Sequence, residues 1–309
     1  MLLRVGTRGS KLSLVQTDIV LDRLKRANPE LNLEKRIITT KGDEDTRTPI
    51  FSLNQKGIFE KEIDQAVLER RIDVAVHSLK DIPVFDQDTD LVIASVPERG
   101  SPSDVLITRD NRKLKGLKMG SRIGTSSLLR VAQLKRARPD LQADPIRGNV
   151  DTRIQKVDSG EYDAVILAEA GLARLGMTGR ISEKLPLKEF IPAPGQGALG
   201  LVARRDDAKV LEVLKMIEHY QTRAEADAER ELVKTLEGGC KVPIGALASA
   251  AGEKLRITGH IYSIDGKERL DAMKAGNIKD ATTLGRSVAD ELISKGAKRL
   301  EESWRGKYR

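Results

Sequence analysis

Two short stretches with the same grammar constrain this chain more than anything else in it. Leu2–Val5 is strand-like, Gly6-Thr7-Arg8-Gly9-Ser10 is a turn, and about Lys11–Arg26 reads as a helix capped by Ser10. Much later, Arg122-Ile123 leads into Gly124-Thr125-Ser126-Ser127 and a helix to about Arg136. The buried-strand pattern Ile72-Asp73-Val74-Ala75-Val76 is likewise echoed by Tyr162-Asp163-Ala164-Val165-Ile166-Leu167. Strands alternating with helices imply a mostly parallel α/β sheet, and the echo implies two similar lobes facing a cleft. Ligands of such sheets sit beyond the carboxyl ends of the strands, where these turns fall.

The intervening chain fits that plan. The first helix carries Val15, Ile19, Val20 and Leu24, an apolar face suited to a sheet. A strand follows at Leu33–Thr39, then a polar, turn-rich run from Lys41 to Gly57, long enough to be a functional lid. Phe59, Ile63, Ala66 and Val67 repeat at helical spacing. Strand Leu91–Val96 precedes Pro97-Glu98-Arg99-Gly100-Ser101-Pro102, which reads as a linker. Gly195–Gly200 spells G-x-G-x-x-G, but prolines stand where a strand should precede it and Leu201-Val202-Ala203 is strand-like where a helix should open. That context excludes a dinucleotide fingerprint. Beyond helices at about Asp207–Ile217 and Thr222–Leu236, strands Lys254–Ser263 and Glu268–Lys274 are joined through Asp265-Gly266, a hairpin signal. A helix over about Asp280–Lys295 completes a small antiparallel α+β unit.

A chain of 309 residues exceeds one comfortable core, so two or three domains are expected. The expected division is 1–96 with about 198–217, then 97–197, then 218–309. No run of about 18 apolar residues occurs, and no export signal opens the chain, so a cytoplasmic protein is expected. Three scattered histidines and one cysteine give no zinc-ligand spacing. The net charge of +8 suits an anionic partner, while 3% aromatic residues argue against stacking on single-stranded nucleic acid.

Chemistry gathers in three places. Arg8, Arg130, Arg147, Arg153 and Arg174 stand at strand ends or first helical turns, where guanidinium forks and helix starts at Ser10 and Ser126 favour carboxylates. Lys80-Asp81 follows a buried strand, placing a carboxylate inside a basic cleft, able to shuttle a proton or stabilise a developing cation. The one cysteine, Cys240, lies in Leu236-Glu237-Gly238-Gly239-Cys240-Lys241-Val242-Pro243. A lone cysteine is commonly a small buried hydrophobe; a glycine loop between helix and strand instead presents its thiol.

Taken together, Gly6–Ser10, Lys56-Gly57-Ile58-Phe59, Ala75–Pro83, Gly124–Leu128, Arg147–Arg153, Pro194–Ala198 and Glu237–Cys240 resemble the porphobilinogen deaminase (hydroxymethylbilane synthase) family over essentially the whole chain. The resemblance implies a transferase of tetrapyrrole (heme) biosynthesis with two lobes like type II periplasmic binding proteins and a small C-terminal α+β domain. It implies a dipyrromethane cofactor on Cys240 through a thioether, priming the stepwise addition of four porphobilinogen units with loss of ammonia. Hydrolysis then frees hydroxymethylbilane. By resemblance Asp81 stabilises the cationic intermediates, and Lys80, Asp81, Ser126, Arg130, Arg147, Gly148 and Gln196 hold the cofactor. Arg8, Ser10, Arg153, Arg174 and Gln196 would bind substrate, and Lys56 and Phe59 belong to the covering loop. A monomer with porphobilinogen as its partner is implied, with neither nucleic acid nor membrane.

Two departures stand out. The family usually has two arginines after Gly-Thr-Ser-Ser-Leu, whereas here Leu129 precedes Arg130. A missing charge-assisted contact is worth roughly 1.5–3 kcal/mol, and Arg122 or Arg147 could compensate. Asn54-Gln55 also replace a common glycine pair before Lys56, giving a stiffer lid. Two other readings stay open: a two-lobed, non-catalytic binding protein for an anionic metabolite, and a basic nucleic-acid binder. The first leaves Cys240 and the C-terminal unit without a role; the second explains only the charge.

Overall fold

The computed structural model describes residues 1–39, 61–84, 90–236, 243–263 and 265–300. Cys240, Lys56 and Phe59 lie outside them.

Helix α1 (Lys11–Ala27) follows β1 (Leu2–Thr7), and Ser10 caps it by accepting from the Ser13 amide at 3.2 Å. Its buried stripe is Gln16, Thr17, Val20 and Leu24, rotated from the purely apolar face. The polar pair can enter because each is satisfied: Gln16 Nε2 donates to Ser78 Oγ at 3.0 Å and Thr17 Oγ1 to the Ser13 carbonyl at 2.9 Å. Strand β2 (Asn32–Ile37), helix α2 (Lys61–Leu68) and strands β3 (Val74–Ser78) and β4 (Leu91–Ser95) complete the first lobe's local elements.

The chain then crosses over to build β5 (Asp104–Thr108), β6 (Arg122–Gly124), α3 (Leu128–Ala137), β7 (Gln142–Asp144), α4 (Val150–Asp158), β8 (Ala164–Ala168), α5 (Glu169–Arg174) and β9 (Glu183–Lys184). It returns as β10 (Leu199–Arg204) and α6 (Ala208–Lys215). The two five-stranded sheets have orders β2-β1-β3-β10-β4 and β7-β6-β8-β5-β9. Position for position they match, each with a parallel trio and an antiparallel strand, β10 or β5, inserted just after a crossing. The sheets are therefore mixed, where local alternation implied mostly parallel ones. Each lobe recruits its antiparallel strand from chain arriving from the other, an arrangement local pattern does not encode. This double crossing is the type II binding-protein plan.

The third sheet, β11 (Ile244–Ala251), β12 (Lys254–Tyr262) and β13 (Arg269–Asn277), is antiparallel and packs under α7 (Tyr220–Thr235) and α8 (Ala281–Ser294). Leu232, Ile257, Val288 and Leu292 are fully buried in its core. The Asp265-Gly266 turn forms as read, with Gly266 at φ 71°. A Cβ there would lie 2.3 Å from the Ala132 carbonyl oxygen of α3, so the turn tip abuts the second lobe.

One ion pair ties all three parts together. Arg99, on the outgoing crossing, donates to both carboxylate oxygens of Glu229 on α7, at 2.8 and 3.2 Å. Glu229, fully buried, also accepts from the amides of Gly195, on the return crossing, and Ala248 in β11. The crossings touch backbone to backbone at Gly197 (φ 88°), where a Cβ would meet the Ser101 and Gly100 oxygens at 2.6 and 2.7 Å.

Candidate active site

Strand β3 ends in a tight turn, Leu79–Asp81, and this places Lys80 and Asp81 at the carboxyl end of the first sheet. Lys80 Nζ donates to Gln196 Oε1 at 3.2 Å, so the first lobe touches the return crossing. Gln196 Nε2 in turn donates to the Pro102 carbonyl at 2.7 Å and to Asp104 Oδ1 at 2.8 Å. Arg130, in the first turn of α3, closes the network: Nε and Nη2 grip Asp104 at 3.1 and 2.6 Å, and Nη1 donates to the Ile166 carbonyl at 3.0 Å. Asp104 and Gln196 are both 1% exposed. An arginine thus enclosed is an internal strut.

Arg153, on α4, belongs to the same cluster. Its Nε donates to the Gly148 carbonyl at 2.8 Å, in the turn that carries Arg147. Burial, then Arg130 and Arg147, pull the Arg153 guanidinium down to about 10 against the attraction of Asp81. Burial also pushes the Lys80 ammonium below the usual lysine range, with Arg130 and Arg153 acting the same way and Asp81 and Asp104 opposing. Asp81 itself is exposed to the cleft. The result is a set of cations drawn from water around one accessible carboxylate, a place that favours further carboxylates.

Of the residues singled out by sequence, Lys80, Asp81, Arg130, Arg147, Gly148, Arg153 and Gln196 come together here. Ser126 lies beside them, donating to the Ile146 carbonyl at 2.6 Å, but Ser127 is the residue that caps α3. Arg8 and Ser10 occupy the turn after β1, the strand adjacent to β3. Arg174 stands apart: its Nη2 donates to the Gly197 carbonyl at 2.6 Å, and the charge it feels is that of Arg23.

Leu129 does not face this cluster. It is 6% exposed and packs with Ala132, Ile191 and Tyr262 where the second lobe meets the C-terminal sheet. Nor does Arg122 take an arginine's place in the cleft, since it is committed to Asp144 at 2.7 Å and lies over the Tyr162 ring.

Asp104 is the cluster member that the motifs missed; its one signal was an acid heading the apolar run Val105-Leu106-Ile107. Arg230 was missed too. From α7 it donates to the carbonyls of Ile82 and Pro83, at 3.0 and 2.8 Å, fixing the segment that follows Asp81. Cys240 falls in sequence between α7 and β11, outside the described residues; the Ala246 amide of β11 donates to the Pro192 carbonyl at 3.0 Å.

The methionine binding protein MetQ superposes with a TM-score of 0.47 at 10% identity, covering 73% of this chain and 94% of that one. The probable porphobilinogen deaminase of Nitrosopumilus maritimus is 47% identical over 303 residues, 98% of this chain and 96% of that protein. The porphobilinogen deaminase of Desulforudis audaxviator is 46% identical over 293 residues, 95% of this chain and 94% of its own. Residues 3–212 match the family model "Porphobilinogen deaminase, dipyromethane cofactor binding domain", and 223–294 match "Porphobilinogen deaminase, C-terminal domain". With both models matched in order along one chain, this protein belongs to the porphobilinogen deaminase family.

Proposed function

We propose that the chain is a hydroxymethylbilane synthase, joining four porphobilinogen units head to tail with loss of ammonia and releasing the linear tetrapyrrole by hydrolysis. The observation that carries this reading is the cleft cluster, where desolvated Lys80 and Arg153 surround the exposed Asp81. Each pyrrole of the substrate bears an acetate and a propionate, the counter-charges such a cluster lacks.

The donor set also fits a dipyrromethane. Cys240 would hold it by a thioether, with Lys80, Ser126, Arg147, Gly148 and Gln196 along its carboxylates and pyrrole edges. When bound, that group supplies the fixed end of the growing chain and its carbon nucleophile. Arg130 serves it through Gln196, because the guanidinium fork is already filled by Asp104. Arg8, Ser10, Arg153 and Arg174 receive substrate carboxylates, and Lys56 and Phe59 belong to the covering loop. Asp81 sets its carboxylate against the pyrrole N–H and the positive charge that develops as ammonia departs. The enzyme works as a cytoplasmic monomer without nucleic acid; no described helix is long and apolar enough to cross a membrane.

Intact-mass measurement of the purified full chain tests the reading. Wild type carries the mass of two linked pyrroles and gains further units with porphobilinogen, Cys240→Ser carries none, and Asp81→Ala loads but stalls. A wild-type chain that stays unmodified after incubation with porphobilinogen sinks the proposal and leaves the non-catalytic binding protein.

A further inference from the structure

A second concentration of positive charge lies at the far end of the second lobe, away from the cleft. Strand β5 starts at Asp104 in the cleft cluster and runs to Thr108, about 13 Å by strand rise. The chain then turns through residues 109–121 before β6 begins at Arg122. Arg109, Arg112, Lys113, Lys115 and Lys118 stand in that turn against the single acid Asp110, and all five cations are exposed. This one loop therefore carries half of the chain's net charge of +8.

A block of like charges ordinarily keeps a segment open and solvated. This one is built into the fold. Leu114 and Leu117 are buried in the lobe's core with Leu106, Ile123 and Leu134. Arg138, held by Asp140 at 2.8 and 2.7 Å, donates to the Leu114 and Leu117 carbonyls at 2.6 and 3.0 Å. The Leu114 amide donates to Glu183 of β9 at 2.6 Å. With the two leucines fixed inside, Lys113, Lys115 and Lys118 are left outside together. Arg112 pairs with Asp110 at 2.6 Å, whereas Arg109, Lys113, Lys115 and Lys118 form no ion pair among the described residues. Beside Lys118, Met119 is 83% exposed, more than any other large apolar side chain among the described residues. A Cβ on Gly116 or Gly120 would meet nothing within 4 Å, so the crest of the loop is open.

We propose that this loop is a docking surface for a short acidic segment of a partner protein, its carboxylates against Lys113, Lys115 and Lys118 and an apolar side chain over Met119. An apolar centre inside a charged rim is the anatomy of a protein interface, and opposite charge steers the encounter. The patch is too bounded for a continuous polyanion. Asp140, whose carbonyl accepts from the Gly120 amide, and Glu161 and Asp163, both bonded to Arg122, stand at the same end of the lobe. They would repel a run of phosphates or a plane of anionic headgroups. Residues 109–121 also hold no aromatic ring for bases to stack on, and Met119 alone is too little apolar surface to enter a bilayer. Docking here requires no step of the reaction proposed above, so each reading stands or falls without the other.

Fluorescence anisotropy tests the surface, with the purified full chain titrated at low ionic strength into a labelled peptide of glutamates and aspartates around one central leucine. Wild type and Arg153→Gln, which weakens only the cleft, should bind alike. Combining Lys113→Glu, Lys115→Glu and Lys118→Glu should weaken binding about 10-fold or more, with turnover and the urea midpoint unchanged. If charge reversal lowers that midpoint, the triple change to glutamine carries the comparison. Met119→Ser, and separately a serine in place of the peptide's leucine, should each weaken binding several-fold. The proposal is overturned by no binding in wild type, equal binding by wild type and the triple variant, loss of binding in Arg153→Gln, or equal binding of the leucine and serine peptides. It is overturned equally if the same lysines hold duplex DNA or phosphatidylglycerol vesicles more tightly than the peptide.

Discussion

Arg99 and Arg153 are both drawn out of water, and their surroundings are opposite. Burial disfavours the Arg99 charge, but Glu229 and Glu225 more than restore it and hold its pKa above the usual arginine range. Its side chain is 7% exposed and that of Glu229 is not exposed at all. Arg153 has no ion pair among the described residues; burial and two neighbouring arginines pull it down to about 10. The first cation is complete within the fold. The second lacks a counter-charge among the described residues, as the binding role proposed for it requires. The same elements thus separate charges that hold the molecule together from charges held ready.

The sharpest break in this comparison comes from Glu229→Ala, which strands Arg99 and removes the acceptor of two buried amides. A loss of about 3–5 kcal/mol in urea unfolding is expected; a loss below about 1 kcal/mol would mean the junction is not held by this pair. His260 offers a pH test of the C-terminal part. Burial, helped by Arg269, lowers its imidazole to about 4 from the ordinary 6.5. Between those values the unfolded chain takes up a proton that the native one refuses. Stability is then unaffected by this group above pH about 6.5 and falls by about 1.4 kcal/mol per unit toward pH 4, about 3 kcal/mol in all. His260→Gln should flatten that limb of the urea-midpoint profile, and an unchanged profile contradicts the assignment.

Arg153→Gln probes the other side of the contrast. It should lower kcat/KM about 100-fold, roughly 2.7 kcal/mol of transition-state stabilisation, while the melting temperature stays level or rises as repulsion is relieved. A melting temperature that falls with the activity would place Arg153 beside Arg99 as a structural charge. Arg180, paired with Asp158 on the surface at 2.5 Å, is the baseline, and Arg180→Ala should change stability by less than about 0.5 kcal/mol.

Much of the site could be read from sequence because turns are local. Gly6–Ser10, the Lys80-Asp81 step, the turn at Gly148 and the glycines around Gln196 all need particular residues at particular positions, and each lies where its pattern implied. What stayed hidden depends on distant chain. The strand β5, and Asp104 with it, acquires meaning only when a crossing sets it against β8. Strand β11 is expected from the cysteine segment only as a strand following it, and its alanine-rich extent becomes clear when β12 pairs with it. Arg130 and Arg174 stood alike as arginines near helical turns; one faces Asp104 and the other the hinge, a difference fixed by residues far away in sequence. Leu129 looked like a lost cleft charge, yet its neighbours Ile191 and Tyr262 make it an apolar contact with the C-terminal part.

Arg230 reaches from α7 to the carbonyls directly after Asp81. On the function proposed above, the C-terminal part would do more than offer a cysteine: it also holds the backbone that follows Asp81. A chain ending at Glu218 would retain every strand of both lobes but lose the hold of Arg230 on the carbonyls of Ile82 and Pro83. Supplying the missing part as a separate polypeptide would have to restore that grip, as well as the thiol, before the acid could be aimed again.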